Sequence, residues 1–293
     1  MPHYTKMIPK IEKSRMRLRK FDILENPEDD RKVFFITPPE LYPDLFSLRF
    51  PELVQKSRRK RWELAKHGKS SFLSFESNIL STEELETADE WAERFSQYVL
   101  LGLNENIDIV FSNELDFCLA LDYNYVDGFP GTSTPYAAAK NQLKFHKNIT
   151  AVDILSNGLS KALRELKLMF QVRNPVLSIV PSHVDKCSVP RKLAKAVSKE
   201  VSIPFIDHIL HCDKQSLRFL PFSDKIAEWN RLYSDKNCIQ LSDNVAGKTV
   251  FLIDDLYQSG TTLWSCAKHL KQAGAIAVIG LVCVKTFRDT DNQ

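Results

Sequence analysis

At 293 residues, with 43% hydrophobic and 26% charged residues, the chain has the make-up of a soluble globular protein large enough for a substantial core. A formal net charge of +3 is too small to call for a nucleic-acid partner by itself. The N-terminus lacks the apolar core of a signal peptide and no run approaches the ~20 apolar residues of a membrane helix, so a cytoplasmic protein without membrane contact is expected.

Prolines at 2, 9, 27, 38, 39, 43 and 51 break up the first 60 residues. Basic residues cluster at Lys13, Arg15, Arg17, Arg19 and Lys20. They cluster again at Lys56, Arg58, Arg59, Lys60, Arg61, Lys66 and Lys69, around Trp62. These clusters suit a nucleic-acid or protein partner, with Trp62 as a ring to stack on a base. The acidic run Glu28, Asp29, Asp30 offsets part of the charge and leaves a plain solvated surface as the alternative. A helix is predicted from Thr82, with Glu83, Glu84 and Glu86 in its first turn and Trp91, Phe95, Val99 and Leu103 on one face.

From residue 107 the pattern changes. Strands are predicted at 107–111 and 117–121, turns at Asp127-Gly128 and Pro130-Gly131, and helices at 135–147 and from Asp153 through Met169. A strand at 176–180, a helix at 190–199 opened by Pro190, and a strand at 203–206 follow. The stretch 211–246 reads as a mobile loop with a helix around 225–232. A strand at 249–253, a helix at 261–273 ending at Gly274, and a strand at 276–284 complete the chain. Alternating strand and helix implies an α/β fold with a parallel sheet and right-handed crossovers. The six cysteines, Cys118, Cys187, Cys212, Cys238, Cys266 and Cys283, form no CxxC pair and read as free, buried or half-buried thiols.

The chemistry concentrates in Val250-Phe-Leu-Ile-Asp254-Asp255-Leu-Tyr-Gln258-Ser259-Gly260-Thr261-Thr262. An apolar strand delivers two carboxylates, and a hydroxyl-rich turn then opens a helix whose first amides favour a phosphate dianion. Ser259, Thr261 and Thr262 add donors, and Gly260 lets the backbone approach closely. Asp254 and Asp255 suit the hydroxyls of a ribose or a hydrated Mg²⁺. An ATPase would need GxxxxGK[ST] opening a helix. Here Gly247-Lys248-Thr249 runs into a strand, and Ser242 stands where the first glycine belongs.

The string DDLYQSGTT resembles the motif by which type I phosphoribosyltransferases bind phosphoribosyl pyrophosphate (PRPP), with Gln258 and Ser259 in place of two threonines. The ComF-like subgroup is the nearest resemblance, through Leu143-Lys144-Phe145 and Ile179-Val180-Pro181-Ser182-His183, without that subgroup's zinc ribbon. The resemblance covers about residues 107–293. It implies a parallel-sheet phosphoribosyltransferase domain there, with residues 1–106 as a mostly helical extension. It further implies that residues 258–262 hold the 5′-phosphate of PRPP or of a nucleoside or ribose 5-phosphate. Asp254 and Asp255 would hold the ribose with Mg²⁺, and Ser182 and His183 the pyrophosphate. Lys285, Lys144, Lys214 and Arg218 are candidates for the base side or for a hood over the site. Transfer of the phosphoribosyl group, a non-catalytic sensor or ComF-like partner in DNA handling, and an effector acting on nucleotides or nucleic acid are the functions this leaves open.

Overall fold

The computed structural model describes residues 22–25, 32–37, 42–76, 79–101, 114–126, 131–146, 148–183, 188–217 and 220–286. The chain divides into two compact units, one of Pro9–Tyr98 with Leu168–Gln171 and the other of Val99–Lys167 with Val172–Gln293.

The first unit contains strands β1 (Asp22–Glu25), β2 (Lys32–Thr37), β3 (Glu63–Leu64) and β4 (Ser71–Glu76) and helices α1 (Tyr42–Arg49), α2 (Pro51–Lys56) and α3 (Thr82–Ser96). The helix from Thr82 was expected, whereas the short helices α1 and α2 fall in a stretch read as broken up by prolines. The four-stranded antiparallel sheet, in the order β1-β2-β4-β3, was not expected. Aromatic rings dominate the core: Phe46 meets Trp91 edge-on at 5.7 Å, and Trp91 stacks on Phe95 at 4.9 Å. Ser81 caps α3, its hydroxyl accepting from the Glu84 amide while the Glu84 carboxylate accepts from the Ser81 amide. The apolar stripe read as one helix face breaks at Ser96, because Val99 begins a strand; Leu103 lies outside the described residues. Trp62 is half-buried: its indole donates to Ser47 Oγ at 3.1 Å and its ring packs edge-on against Phe46 at 5.5 Å.

The second unit holds β5 (Val99–Leu101), β6 (Phe117–Tyr123), β7 (Pro175–Ile179), β8 (His208–Leu210), β9 (Ile239–Leu241), β10 (Thr249–Tyr257) and β11 (Ala277–Lys285). Its helices are α4 (Pro135–His146), α5 (Thr150–Met169), α6 (Val189–Val201), α7 (Phe222–Ser234) and α8 (Thr261–Gln272). The main sheet runs β5-β6-β11-β10-β7, parallel throughout except for the antiparallel edge strand β5. β10 therefore lies between two parallel neighbours, and Val250 to Ile253 are fully buried, as an unbroken apolar run requires. The strand expected at 107–111 lies outside the described residues. The one expected at 203–206 reduces to a single bridge, Leu177 to Phe205. Ser202 occupies the left-handed region (φ 53°), and Pro204 has no amide to continue a ladder.

Residues 208–241 form a small subdomain, in which the helix expected around 225–232 is present as α7 and a hairpin stands beside it. β8 and β9 pair as an antiparallel hairpin, and α7 packs a core of Leu210, Trp229, Leu232, Cys238 and Ile239. Within it Cys212 and Cys238 form a disulfide, correcting the expectation that these thiols are free. The hairpin brings residues 26 apart in sequence to a Cα separation of 4.9 Å, a proximity that linear spacing does not reveal. Cys118, Cys266 and Cys283 are free and buried as expected, and Cys187 lies outside the described residues. No helix among the described residues is long and apolar enough to cross a membrane.

Candidate functional site

β10 runs four residues further than its apolar core predicts and carries Asp254 and Asp255 out to its C-terminal end. The chain then turns through Gln258, Ser259 and Gly260 into α8. Gly260 sits at φ +82°, and a Cβ there would lie 2.4 Å from the Trp264 indole and 2.4 Å from the Tyr257 hydroxyl oxygen. Both the left-handed backbone and the lack of room demand glycine. Gly260 is the N-cap of α8 and supplies no side-chain acceptor to its first-turn amides. The nearby hydroxyls of Ser259 and Thr261 instead pair with each other at 3.1 Å. By contrast, Ser188 caps α6 with its hydroxyl, as Ser81 caps α3.

A cavity of about 330 Å³ opens over this turn, lined by residues 258–262, Asp254, Asp255, Ser182, Lys144 and Lys214. The structure thus brings ten of the residues singled out from sequence to one place. Asp254 is buried, and its Oδ1 accepts from the Asp255 amide at 2.8 Å. Burial, and then the neighbouring Asp255 charge, push its carboxyl well above the usual carboxylate range. Asp255 Oδ2 accepts from Lys144 Nζ at 3.2 Å, so the α4 lysine faces the site. Lys214 places its ammonium 4.4 Å from the centroid of the Trp229 ring; burial lowers its pKa, against the pull of Asp254 and Glu228. The approach to Lys214 is fixed by Glu228, which accepts from the Gln215 amide at 2.9 Å. The Arg231 guanidinium holds the Glu228 carboxyl down at about 2.

Across the cavity the segment after β7 is held from behind. Arg191 donates to the Ser182 carbonyl at 2.9 Å and the His183 carbonyl at 2.7 Å, while Asp207 holds its Nε at 2.9 Å. Ser182 lines the cavity; His183 is not among the lining residues. Lys285 is also absent from the lining. It is fully buried, donates to the Thr286 carbonyl at 2.9 Å and lies 5.3 Å from the Tyr257 ring centroid, where an accessible strand end facing the base had been expected. Arg218 lies outside the described residues. Sequence reasoning missed Lys225, which is 3% exposed and lines the cavity from the first turn of α7. Its only signal was its spacing from Trp229 and Leu232, which puts it on the buried side of an amphipathic helix.

The fold and site together define an α/β protein with an anion-ready helix start at the carboxyl edge of a parallel sheet. The family model of the phosphoribosyl transferase domain matches residues 188–290, which include β10, the turn and α8. Among curated proteins none matches this chain. Similar solved structures include a hypoxanthine phosphoribosyltransferase from Staphylococcus aureus, at 14% identity and TM-score 0.30, covering 46% of this chain and 64% of that one. A purine phosphoribosyltransferase from Pyrococcus horikoshii has 16% identity and TM-score 0.30, with 48% and 86% covered. A phosphoribosylpyrophosphate synthetase from Mycobacterium smegmatis has 14% identity and TM-score 0.32, with 54% and 53% covered. This chain thus spans less than two thirds of the length of the first of these relatives and about half of the last.

Proposed function

We propose that this protein binds PRPP and transfers its 5-phosphoribosyl group, through a phosphoribosyltransferase-like domain spanning about residues 107–293, with residues 1–106 as an appended region. The observation that carries this reading is the Gly260 turn. A helix start without a side-chain cap opens onto a cavity directly after two carboxylates, in the segment matched by the phosphoribosyl transferase family model.

In this reading residues 258–262 hold the 5′-phosphate and Asp254 and Asp255 take the ribose hydroxyls. The carboxylate pair also fits a hydrated Mg²⁺, because it offers only hard oxygen donors and includes a buried acid that carries a neighbour's repulsion. The metal would supply charge neutralisation to a pyrophosphate. The protein's own contribution is positioning and electrostatic stabilisation. Ser182, on the segment anchored by Arg191, faces the pyrophosphate side, and Lys214 and Lys225 approach from the α7 subdomain. As the C1′ bond to pyrophosphate lengthens, positive charge gathers on the sugar and the two carboxylates stabilise it. Calorimetry with PRPP and ribose 5-phosphate, with and without Mg²⁺, tests the assignment. Tight Mg²⁺-dependent binding of PRPP is expected, and binding of neither compound would sink it. Release of pyrophosphate on adding nucleobases separates an enzyme from a sensor that only binds.

A further inference from the structure

The basic cluster at 56–69 has no part in the site above, although the segment carries seven lysines and arginines against one acid, Glu63. The structure divides these cations into two sets. Lys56 pairs with Glu84, Arg58 with Glu76 at 3.0 Å and Arg59 with Glu63 at 3.8 Å, so the carboxylates beside the cluster are already engaged. Lys60, Arg61, Lys66 and Lys69 are exposed and have no ion-pair partner among the described residues.

The scaffold under these four is well fixed. The Arg58 amide donates to the Ser74 carbonyl at 2.8 Å, Ala65 to Ser70 at 2.9 Å and Gly68 to Ala65 at 2.8 Å, while Trp62 is tied to Ser47 and Phe46 beneath. Lys60 (φ 55°) and Gly68 (φ 68°) both take left-handed turn conformations, so the two pairs of cations sit at turns on either side of β3. Four cations without carboxylate partners on such a scaffold face a polyanion without first breaking ion pairs of their own. Trp62 is half-buried and held by Ser47 and Phe46, which disfavours stacking on unpaired bases.

We propose that the β3–β4 hairpin is a docking surface for the phosphate backbone of double-helical nucleic acid, recognised by charge and not by base sequence. Four phosphate contacts imply a slope of log Kobs against log salt of about −3.6, or roughly a hundred-fold loss of affinity between 50 and 200 mM salt. The proposal does not rest on the phosphoribosyl reading.

The test is fluorescence anisotropy of the full chain with labelled DNA and RNA duplexes and a single strand, across a salt series. It compares the parent with a variant carrying Lys60→Asn, Arg61→Gln, Lys66→Gln and Lys69→Gln; asparagine at 60 tolerates the left-handed backbone. Duplex binding that is indifferent to sequence is expected, with the salt slope reduced by about 3.6 in the variant. Circular dichroism and ribose 5-phosphate calorimetry should match the parent in both folding and ligand response. Preference for the single strand, binding only to anionic lipid vesicles, no duplex binding by the parent, or an unchanged salt slope in the folded variant would each overturn the proposal.

Discussion

Two helix starts in this chain solve the same electrostatic problem in opposite ways. At α3, Ser81 and Glu84 exchange side-chain and backbone hydrogen bonds, so two of the orphan amides at the helix start are satisfied locally. At α8, the N-cap is Gly260, which offers no side-chain cap to the first-turn amides, and the hydroxyls flanking the glycine bond to each other. The first arrangement supplies its cap from the chain itself. The second leaves donors and dipole available to an anion in the cavity. A cap that is absent where the surrounding turn is rigidly specified by glycine is a mark of a ligand site.

The largest break of this contrast is Gly260→Val. It adds left-handed strain and overpacking against Trp264 and Tyr257, an expected cost of about 2–5 kcal/mol in urea unfolding, with phosphate binding abolished. Replacing both carboxylates, Asp254→Asn with Asp255→Asn, removes two charge-assisted bonds and should weaken PRPP binding roughly a hundred-fold or more in calorimetry. Thr262→Val keeps shape and removes one donor, so ribose 5-phosphate should bind roughly ten- to a hundred-fold more weakly while the unfolding midpoint stays put. Ser81→Ala should do the reverse, lowering stability by about 1 kcal/mol with ligand affinity untouched. If Ser81→Ala impaired binding as much as Thr262→Val, the distinction between a closed and an open helix start would fail.

The smallest effect concerns pH. Burial and Asp255 raise the Asp254 pKa in the folded state, so the folded chain keeps a proton that the unfolded chain releases above the ordinary carboxylate range. Stability without ligand should therefore fall as pH rises through the window between the ordinary and the raised value. Asp254→Asn, which does not titrate, should flatten that fall. Urea unfolding of parent and variant from pH 4 to 8 should show the variant gaining on the parent as pH increases; parallel curves would contradict the raised pKa.

What could be read from the sequence follows from how local each feature is. Asp254 through Thr262 is one continuous string, and strand, carboxylates, turn and helix appear in the fold as read. The helices with strong periodicity, α5 and α6, also match their expected positions within a few residues. Features made by distant segments stayed hidden. Lys225 joins the cavity only because α7 packs against α8, and Cys212 meets Cys238 only through the β8–β9 hairpin. Lys285 looks like an accessible charge after an apolar strand, but Tyr257 on the neighbouring strand covers it. Trp91, Phe95 and Val99 kept a helical rhythm beyond the point where the helix stopped, since period alone carries no stop signal. The sheet of the first unit escaped notice because its strands are short, two to six residues, and the first two are flanked by prolines.

The Cys212–Cys238 bond makes residues 212–238 a covalent ring, and Lys214 and Lys225 ride on it. A protease that cuts once in the exposed stretch around Gln215 and Ser216 therefore severs the chain without releasing a fragment. The nicked protein would migrate as one species on a denaturing gel without reductant and as two with it. The core of Trp229 and Leu232 would still hold the ring together, with Lys214 and Lys225 on opposite sides of the cut.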